Sequence, residues 1–116
     1  MAILIRNLLA GLLALCAAAP APVHALGEIS AAELPPEARE MLTLIRKGGP
    51  FSYQRDGAPF GNREQMLPKR SRSYYREYTV KTPGSHDRGA RRIVAGQGSE
   101  FYYTDDHYRS FRRVLE

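Results

Sequence analysis

Residues 74–80 read YYREYTV, and this stretch decides the fold class. Neighbouring side chains of an extended chain point to opposite faces, so the odd-numbered positions share one face and the even-numbered positions share the other. Aromatic and β-branched residues favour strands, and five of the seven positions are of these types. The stretch is therefore predicted to be a β-strand.

Three more short strands are predicted downstream of this one. They cover residues 92–95, 101–104 and 110–114. Turn signals separate the extended stretches, and these are Asp56-Gly57, Pro83-Gly84, Gly96-Gln97-Gly98 and Asp105-Asp106.

One amphipathic helix is predicted before the strands. Ala38, Met41, Leu42 and Ile45 follow the spacing i, i+3, i+4, i+7, and Gly48-Gly49-Pro50 ends the pattern. Upstream, the segment SAAE at 30–33 has the form of a capping box, and it is followed by two prolines. A helix followed by closely spaced strands predicts an α+β domain in which one N-terminal amphipathic helix packs on an antiparallel β-sheet.

Residues 1–25 are predicted to be a secretory signal peptide, which leaves residues 26–116 as the domain. Arg6 precedes an apolar run over residues 8–19, and Val23-His24-Ala25 offers small residues for cleavage. A membrane anchor is the alternative, but the run is shorter than the roughly 20 residues that a spanning helix needs. Lipidation of Cys16 is a second alternative, which the bulky Leu15 disfavours. We expect a secreted, extracellular protein with no membrane contact after cleavage.

The composition limits the function classes. The chain has 116 residues and a formal charge of +5, which suits a single domain and an anionic partner such as nucleic acid or a membrane surface. Cys16 is the only cysteine, so the domain has no disulfide, thiolate nucleophile or cysteine-bound zinc. A cationic membrane-surface protein would need a long basic amphipathic helix, which the sequence lacks.

Two titratable residues stand out. Glu77 lies in the middle of the predicted strand. A carboxylate at such a position usually lies on the solvent face of a sheet. His107 follows Asp105-Asp106 at the start of the last predicted strand, where two carboxylates are expected to favour the protonated imidazole. His86 is interpreted as a solvated turn residue. A metal site built from residues 105–107 is disfavoured because consecutive ligands point apart on an extended chain.

An arginine cluster follows one predicted hairpin after Glu77. The segment RGARR at 88–92 could place guanidinium groups over the same sheet face. An acid, a histidine and several arginines on one surface suit phosphodiester cleavage, because one group takes a proton, another gives one, and the cations stabilise charge on phosphorus. The alternative for the arginines alone is a solubilising patch.

Taken together, these segments closely resemble the secreted guanyl-specific ribonucleases of bacteria, the barnase and actinobacterial type. The resemblance runs from about Leu34 to Val114, with its blocks in order and at family spacing. The blocks are GPFSYQRDG at 49–57, FGNRE at 60–64, Leu67-Pro68, YYREYTV at 74–80, TPG at 82–84, RGARRI at 88–93 and YYTDDHY at 102–108.

The resemblance implies the microbial ribonuclease fold, with a twisted sheet, and cleavage of single-stranded RNA 3′ of guanosine through a 2′,3′-cyclic phosphate. It implies that Glu77 is the general base and that His107 is the acid. Arg88 and Arg92 match the phosphate-binding arginines, and Arg63 joins them. The guanine site implied by the motifs consists of Phe60, Asn62, Arg63, Glu64 and Tyr108. No metal or cofactor is implied, since the nucleophile is the 2′-hydroxyl of the RNA itself.

A non-catalytic secreted RNA-binding or toxin-like module is the competing interpretation. Such a binder needs the arginines and aromatic residues but has no use for Glu77 and His107 together. The resemblance further implies a monomer whose partners are RNA and, in the producing cell, a barstar-like cytoplasmic inhibitor. The chain departs from many actinobacterial relatives in lacking the disulfide that ties their chain ends together, a bridge that typically contributes about 2 to 4 kcal/mol.

Overall fold

The computed structural model describes residues 26–116, so the predicted signal peptide and Cys16 lie outside the described residues. This part of the chain contains one α-helix, a short 3-10 turn at Ala31–Glu33 and six strands. In chain order the elements are β1 (Gly27–Ser30), α1 (Pro36–Lys47), β2 (Ala58–Phe60), β3 (Tyr75–Thr79), β4 (Arg92–Gly96), β5 (Phe101–Thr104) and β6 (Arg112–Leu115).

Helix α1 begins and ends where the sequence predicts. Pro36 occupies its first turn, where a missing N–H costs nothing, and Gly48 ends it with a left-handed φ of 85°. The predicted capping box belongs to a different element: the Glu33 carboxylate accepts from the backbone N–H and the hydroxyl of Ser30 and closes the 3-10 turn. Within residues 26–116, no helix has the length and apolar character needed to cross a membrane.

The six strands form one sheet in the order β1-β6-β5-β4-β3-β2. All neighbouring pairs are antiparallel except β1 and β6, which pair in parallel from Gly27 with Arg112 to Ser30 with Leu115. The α+β prediction is confirmed, and the parallel pair is an addition to it. This pair holds the two ends of the domain together.

The sheet has two buried faces. Helix α1 packs on one of them, where Ala38, Met41 and Leu42 meet Tyr78, Ile93 and Tyr103. The other face carries Tyr75, Val94 and Tyr102, which are covered by loops. Because side chains alternate along β3, Tyr78 belongs to the helix side while Glu77 belongs to the loop-covered side. The candidate catalytic residues therefore lie on the face away from the helix.

Candidate active site

The carboxylate of Glu77 lies at the centre of the site. Glu77 is the middle residue of β3 and pairs with Ala58 of β2 and Val94 of β4. Only 5% of the residue is exposed, so it does not belong to a solvated sheet face. A buried carboxylate requires compensating donors, and the neighbouring loops supply them.

Three side chains donate hydrogen bonds to this carboxylate. Arg88 Nη2 and the Tyr108 hydroxyl donate to Glu77 Oε1 over 3.1 and 3.0 Å, and Arg55 Nη2 donates to Oε2 over 3.2 Å. Burial alone would raise the pKa of Glu77, but the bonds from Arg88, Tyr108 and Arg55 outweigh it and hold the pKa below its ordinary value. Glu77 is therefore ionised at neutral pH, which is the form that can accept a proton.

Arg55 is a site residue that the sequence analysis missed. It belongs to the turn before β2, and the carboxylate of Asp56 fixes that turn: Oδ1 accepts from the N–H of Thr79 over 2.7 Å, and Oδ2 accepts from the N–H of Tyr53. The Arg55 side chain is 63% exposed, whereas that of Glu77 is 7% exposed. The pairing of β2 with β3 creates this contact, and β2 was not predicted.

Arg88 contacts the other oxygen of the same carboxylate. Its Nε donates to Thr79 Oγ1 over 3.0 Å while its Nη2 donates to Glu77. Thr79 and Glu77 are two apart on β3 and therefore share a face, so one guanidinium spans both. The structure thus places Arg88 over the face that the sequence predicts.

Arg92 is almost fully buried at the start of β4. Its Nη1 donates to the carbonyl oxygens of Gly89 and Arg91 over 2.9 and 2.8 Å, and its guanidinium carbon lies 5.9 Å from the centre of the Tyr108 ring. Its Nε is buried without a hydrogen-bond partner in the described part of the chain. An unpaired cationic donor of this kind suits an anionic oxygen from a ligand.

His107 does not open a strand as predicted. It lies in the turn between β5 and β6 with a φ of 56°, and β6 begins only at Arg112. Within residues 26–116 its imidazole also forms no ion pair with the two carboxylates that were expected to act on it. Asp106 accepts from Thr104 and Ser110 and closes the turn, while Asp105 pairs with Arg112.

The turn instead presents His107 next to Tyr108, which contacts the Glu77 carboxylate. Its backbone N–H donates to the carbonyl oxygen of Ala90 over 2.9 Å, which ties the turn to the arginine segment. Its exposed ring lies 4.9 Å, centre to centre, from the ring of Tyr108, whose hydroxyl donates to Glu77. One aromatic residue therefore bridges the candidate acid and the candidate base.

A cleft of about 200 Å³ adjoins this cluster. Phe60 and Tyr108 form one aromatic wall, with ring centres 5.1 Å apart, and Phe111 extends it 5.8 Å from Phe60. The cleft is lined by Phe60, Gly61, Asn62, Arg63, Glu64, Met66, Tyr108 and Phe111. All five residues that the sequence assigned to the guanine site are brought together here.

Asn62 shapes the rim of this cleft through its own loop. Its Nδ2 donates to the carbonyl oxygen of Leu67 over 3.0 Å, and its Oδ1 accepts from the N–H of Leu67 over 3.1 Å. Its φ of 51° lies in the left-handed region, which Asn tolerates better than most residues. The amide is therefore occupied in holding the loop.

The rim leaves polar groups available for a base. Glu64 is exposed and takes part in none of the four ion pairs formed within residues 26–116. The turn bond from the N–H of Gln65 to the carbonyl oxygen of Asn62 leaves the backbone N–H groups of Arg63 and Glu64 without a backbone acceptor in the same range. The loop that lines this cleft therefore offers two backbone N–H donors and one carboxylate acceptor.

The other candidates lie apart from this cluster. His86 is exposed in the turn after Pro83, as predicted. Across the described range, no three His, Cys, Asp or Glu side chains are grouped closely enough to hold a metal ion. The arrangement offers a buried carboxylate, an exposed imidazole, one buried guanidinium and one half-buried guanidinium beside an aromatic cleft.

Comparison with known proteins identifies the family. A family model described as ribonuclease matches residues 18–115. The chain is 56% identical over 88 residues to guanyl-specific ribonuclease St of Saccharopolyspora erythraea, covering 76% of this chain and 87% of that protein. It is 57% identical over 95 residues to guanyl-specific ribonuclease Sa3 of Kitasatospora aureofaciens, covering 81% and 67%.

Solved structures agree with this assignment. A structure of ribonuclease Sa2 complexes with mononucleotides has 48% sequence identity and a TM-score of 0.78, covering 79% of this chain and 96% of that one. Ribonuclease Sa2 with guanosine-2′-cyclophosphate has 47% identity and a TM-score of 0.75, covering 78% and 97%. The chain belongs to the ribonuclease family that includes the guanyl-specific ribonucleases St and Sa3.

Proposed function

We propose that this protein is a guanyl-specific endoribonuclease that cleaves single-stranded RNA 3′ of guanosine through a 2′,3′-cyclic phosphate. The observation that carries the proposal is the buried, ionised Glu77 carboxylate, set between two arginines and the aromatic cleft. The family relatives named guanyl-specific ribonucleases support the same conclusion.

Glu77 acts as the general base through Oε2. Oε1 already accepts from Arg88 and Tyr108, whereas Oε2 accepts only from the largely exposed Arg55. An incoming ribose can displace that exposed side chain without leaving a buried group unpaired. Oε2 then accepts the proton of the 2′-hydroxyl as its oxygen attacks phosphorus.

His107 acts as the general acid for the leaving 5′-oxygen. Its exposed ring lies 4.9 Å, centre to centre, from the ring of Tyr108, whose hydroxyl donates to Glu77, so acid and base can act on the same phosphate. Arg88 and the unpaired Nε of Arg92 stabilise the charge that develops on the phosphorane oxygens. In the second step the roles reverse, and His107 removes a proton from the water that opens the cyclic phosphate.

Guanine binds in the cleft beside this cluster. The backbone N–H groups of Arg63 and Glu64 donate to O6, and the Glu64 carboxylate accepts from N1–H and the 2-amino group. Adenine reverses this pattern at both positions and would leave buried polar groups unpaired. Phe60 and Tyr108 supply the aromatic surface for the ring.

The cellular setting is also part of the proposal. The apolar N-terminal stretch supports secretion of residues 26–116, and we expect the secreted domain to act as a monomer. A producing cell would then need an acidic, barstar-like inhibitor in its cytoplasm, because the cationic active site attacks any accessible RNA.

Paired substitutions test this mechanism. Glu77→Gln and His107→Gln should each lower kcat by about 10² to 10⁴ because each removes one proton transfer. Both variants should still bind an uncleavable RNA, and Glu77→Gln should bind it at least as tightly because a negative charge is lost. Glu28→Gln and His86→Gln are matched controls, since both residues are exposed and lie outside the site. Unchanged turnover in either active-site variant would refute the assignment.

A further inference from the structure

A second, larger groove lies on the other side of the guanine loop. Its volume is about 640 Å³, roughly three times that of the guanine cleft, and the two share residues 60–63 as a common wall. Four cationic residues line it, and no carboxylate does. These are Arg63, Lys69, Arg70 and Arg72.

The basic loop over residues 69–72 is anchored to the sheet. The Tyr75 hydroxyl donates to the carbonyl oxygen of Pro68 at the start of the loop, and the N–H of Tyr74 donates to the carbonyl oxygen of Ser71 near its end. The Arg70 guanidinium lies 5.5 Å from the centre of the Tyr74 ring. The basic loop is therefore held in a defined position against the sheet.

The charges of these cations are not neutralised by carboxylates of the described residues. None of the four takes part in the ion pairs formed within residues 26–116. Lys69, Arg70 and Arg72 are all exposed within four consecutive residues. Repulsion between their positive charges raises the free energy of the unbound protein. A polyanion would relieve this repulsion and release bound counterions.

We propose that this groove binds the phosphate backbone of the RNA chain next to the guanosine, as an extended subsite for substrates longer than a dinucleotide. This inference rests on the proposed function, because the strand must continue beyond the guanine cleft. The shared wall of residues 60–63 gives it a continuous path into the groove. An acidic inhibitor would also fit the charge, but RNA is favoured because the groove shares a wall with the cleft that binds the base, and the binding test below distinguishes the two.

Binding to uncleavable RNA tests the proposal without relying on catalysis. The probes are a nonaribonucleotide with one central 2′-deoxyguanosine and the corresponding dinucleotide, measured by fluorescence anisotropy between 50 and 200 mM salt. The test variant is Arg70→Ser/Arg72→Ser, and the matched control is Lys47→Ser/Lys81→Ser, which removes two exposed cations on other surfaces.

The test variant should bind the nonamer more weakly and with a log–log salt slope smaller by about 1.4, because each single-strand phosphate contact contributes about 0.7. Over this salt range its Kd should rise about sevenfold less than that of the wild type. Dinucleotide binding should stay at the wild-type value, and the control should change neither slope.

A wild-type slope in the test variant would overturn the proposal, as expected if the groove served an acidic protein. Equal losses for both probes would overturn it too, since the arginines would then act on the guanine cleft. If the wild type failed to cleave RNA but its nonamer binding still depended on this loop, the groove would stand and the proposed enzyme activity would fall.

Discussion

Replacing Asn62 with Ala should destabilise the protein and loosen its guanine loop. The change removes both hydrogen bonds between the Asn62 amide and the backbone of Leu67, a residue that is only 3% exposed. Each bond contributes about 0.5 to 1.5 kcal/mol net. Ala at a φ of 51° adds about 1 kcal/mol of backbone strain. The free energy of unfolding should therefore fall by roughly 2 to 4 kcal/mol in total.

Asn62→Gly separates the two contributions. Glycine loses the same hydrogen bonds but adopts the left-handed conformation without strain, so this variant should be about 1 kcal/mol more stable than Asn62→Ala. Urea unfolding measures both differences. A melting temperature should fall by roughly 10 to 30 °C for the Ala variant, given 4 to 8 °C per kcal/mol for a domain of this size.

The same variants report on specificity. Cleavage of GpU and ApU, measured well below the melting temperature, should show a smaller ratio of guanosine to adenosine in Asn62→Ala, because the loop donors are no longer held in place. Losses of stability below about 0.5 kcal/mol in both variants would refute the role given to the Leu67 hydrogen bonds. Glycine as destabilising as alanine would refute the backbone contribution.

Other substitutions test the remaining parts of the site. Arg55→Gln removes a cation beside Glu77 and should raise the pKa of that carboxyl, so the acid limb of the kcat/KM profile moves to higher pH. Because the folded pKa of Glu77 is held low, its ionisation also stabilises the fold at neutral pH, and this stabilisation is lost as the pH falls through the folded pKa. An acid limb that moves to lower pH in Arg55→Gln would contradict the effect of Arg55 on the pKa of Glu77. Tyr108→Phe should shift the same limb in the same direction while keeping the aromatic wall, and an unchanged limb would exclude a role for the hydroxyl. Arg92→Ala should lower kcat more than it weakens binding of uncleavable RNA, whereas equal losses would mean that Arg92 only positions the substrate. Glu64→Ala should lower the ratio of cleavage after guanosine to cleavage after adenosine. In the wild type, two polar groups left unpaired by adenine would set this ratio at roughly 10² to 10⁴. An unchanged ratio on matched dinucleotides would exclude Glu64 from the base site.

The elements with strong local patterns could be predicted from the sequence. Helix α1 follows from its apolar spacing and from Gly48, and β3 follows from the alternation over residues 74–80. Strands β1 and β2 could not be predicted in this way, because each is short and lies at a sheet edge. Pro59 lies in the middle of β2, where a missing N–H is tolerated only at an edge.

The residues of the site could be predicted from the sequence better than the contacts between them. Glu77 and the arginine segment are local features of two paired strands, so their proximity follows from one hairpin. The contact of Arg55 with Glu77 depends on β2, and the turn that presents His107 depends on the bonds that Asp106 forms with Thr104 and Ser110. Contacts between distant segments, and turns that are closed by side-chain hydrogen bonds, leave no periodic pattern in the sequence.

Mapping the cleavage products of one defined RNA shows whether the protein is a metal-independent, guanyl-specific endoribonuclease. The substrate is an oligoribonucleotide with a single internal guanosine, incubated with residues 26–116 in excess EDTA. The account predicts one cut, 3′ of the guanosine, with a 2′,3′-cyclic phosphate end that is later converted to a 3′-phosphate. Cleavage at other residues, a 5′-phosphate on the downstream fragment, or no cleavage until a divalent metal is restored would contradict it.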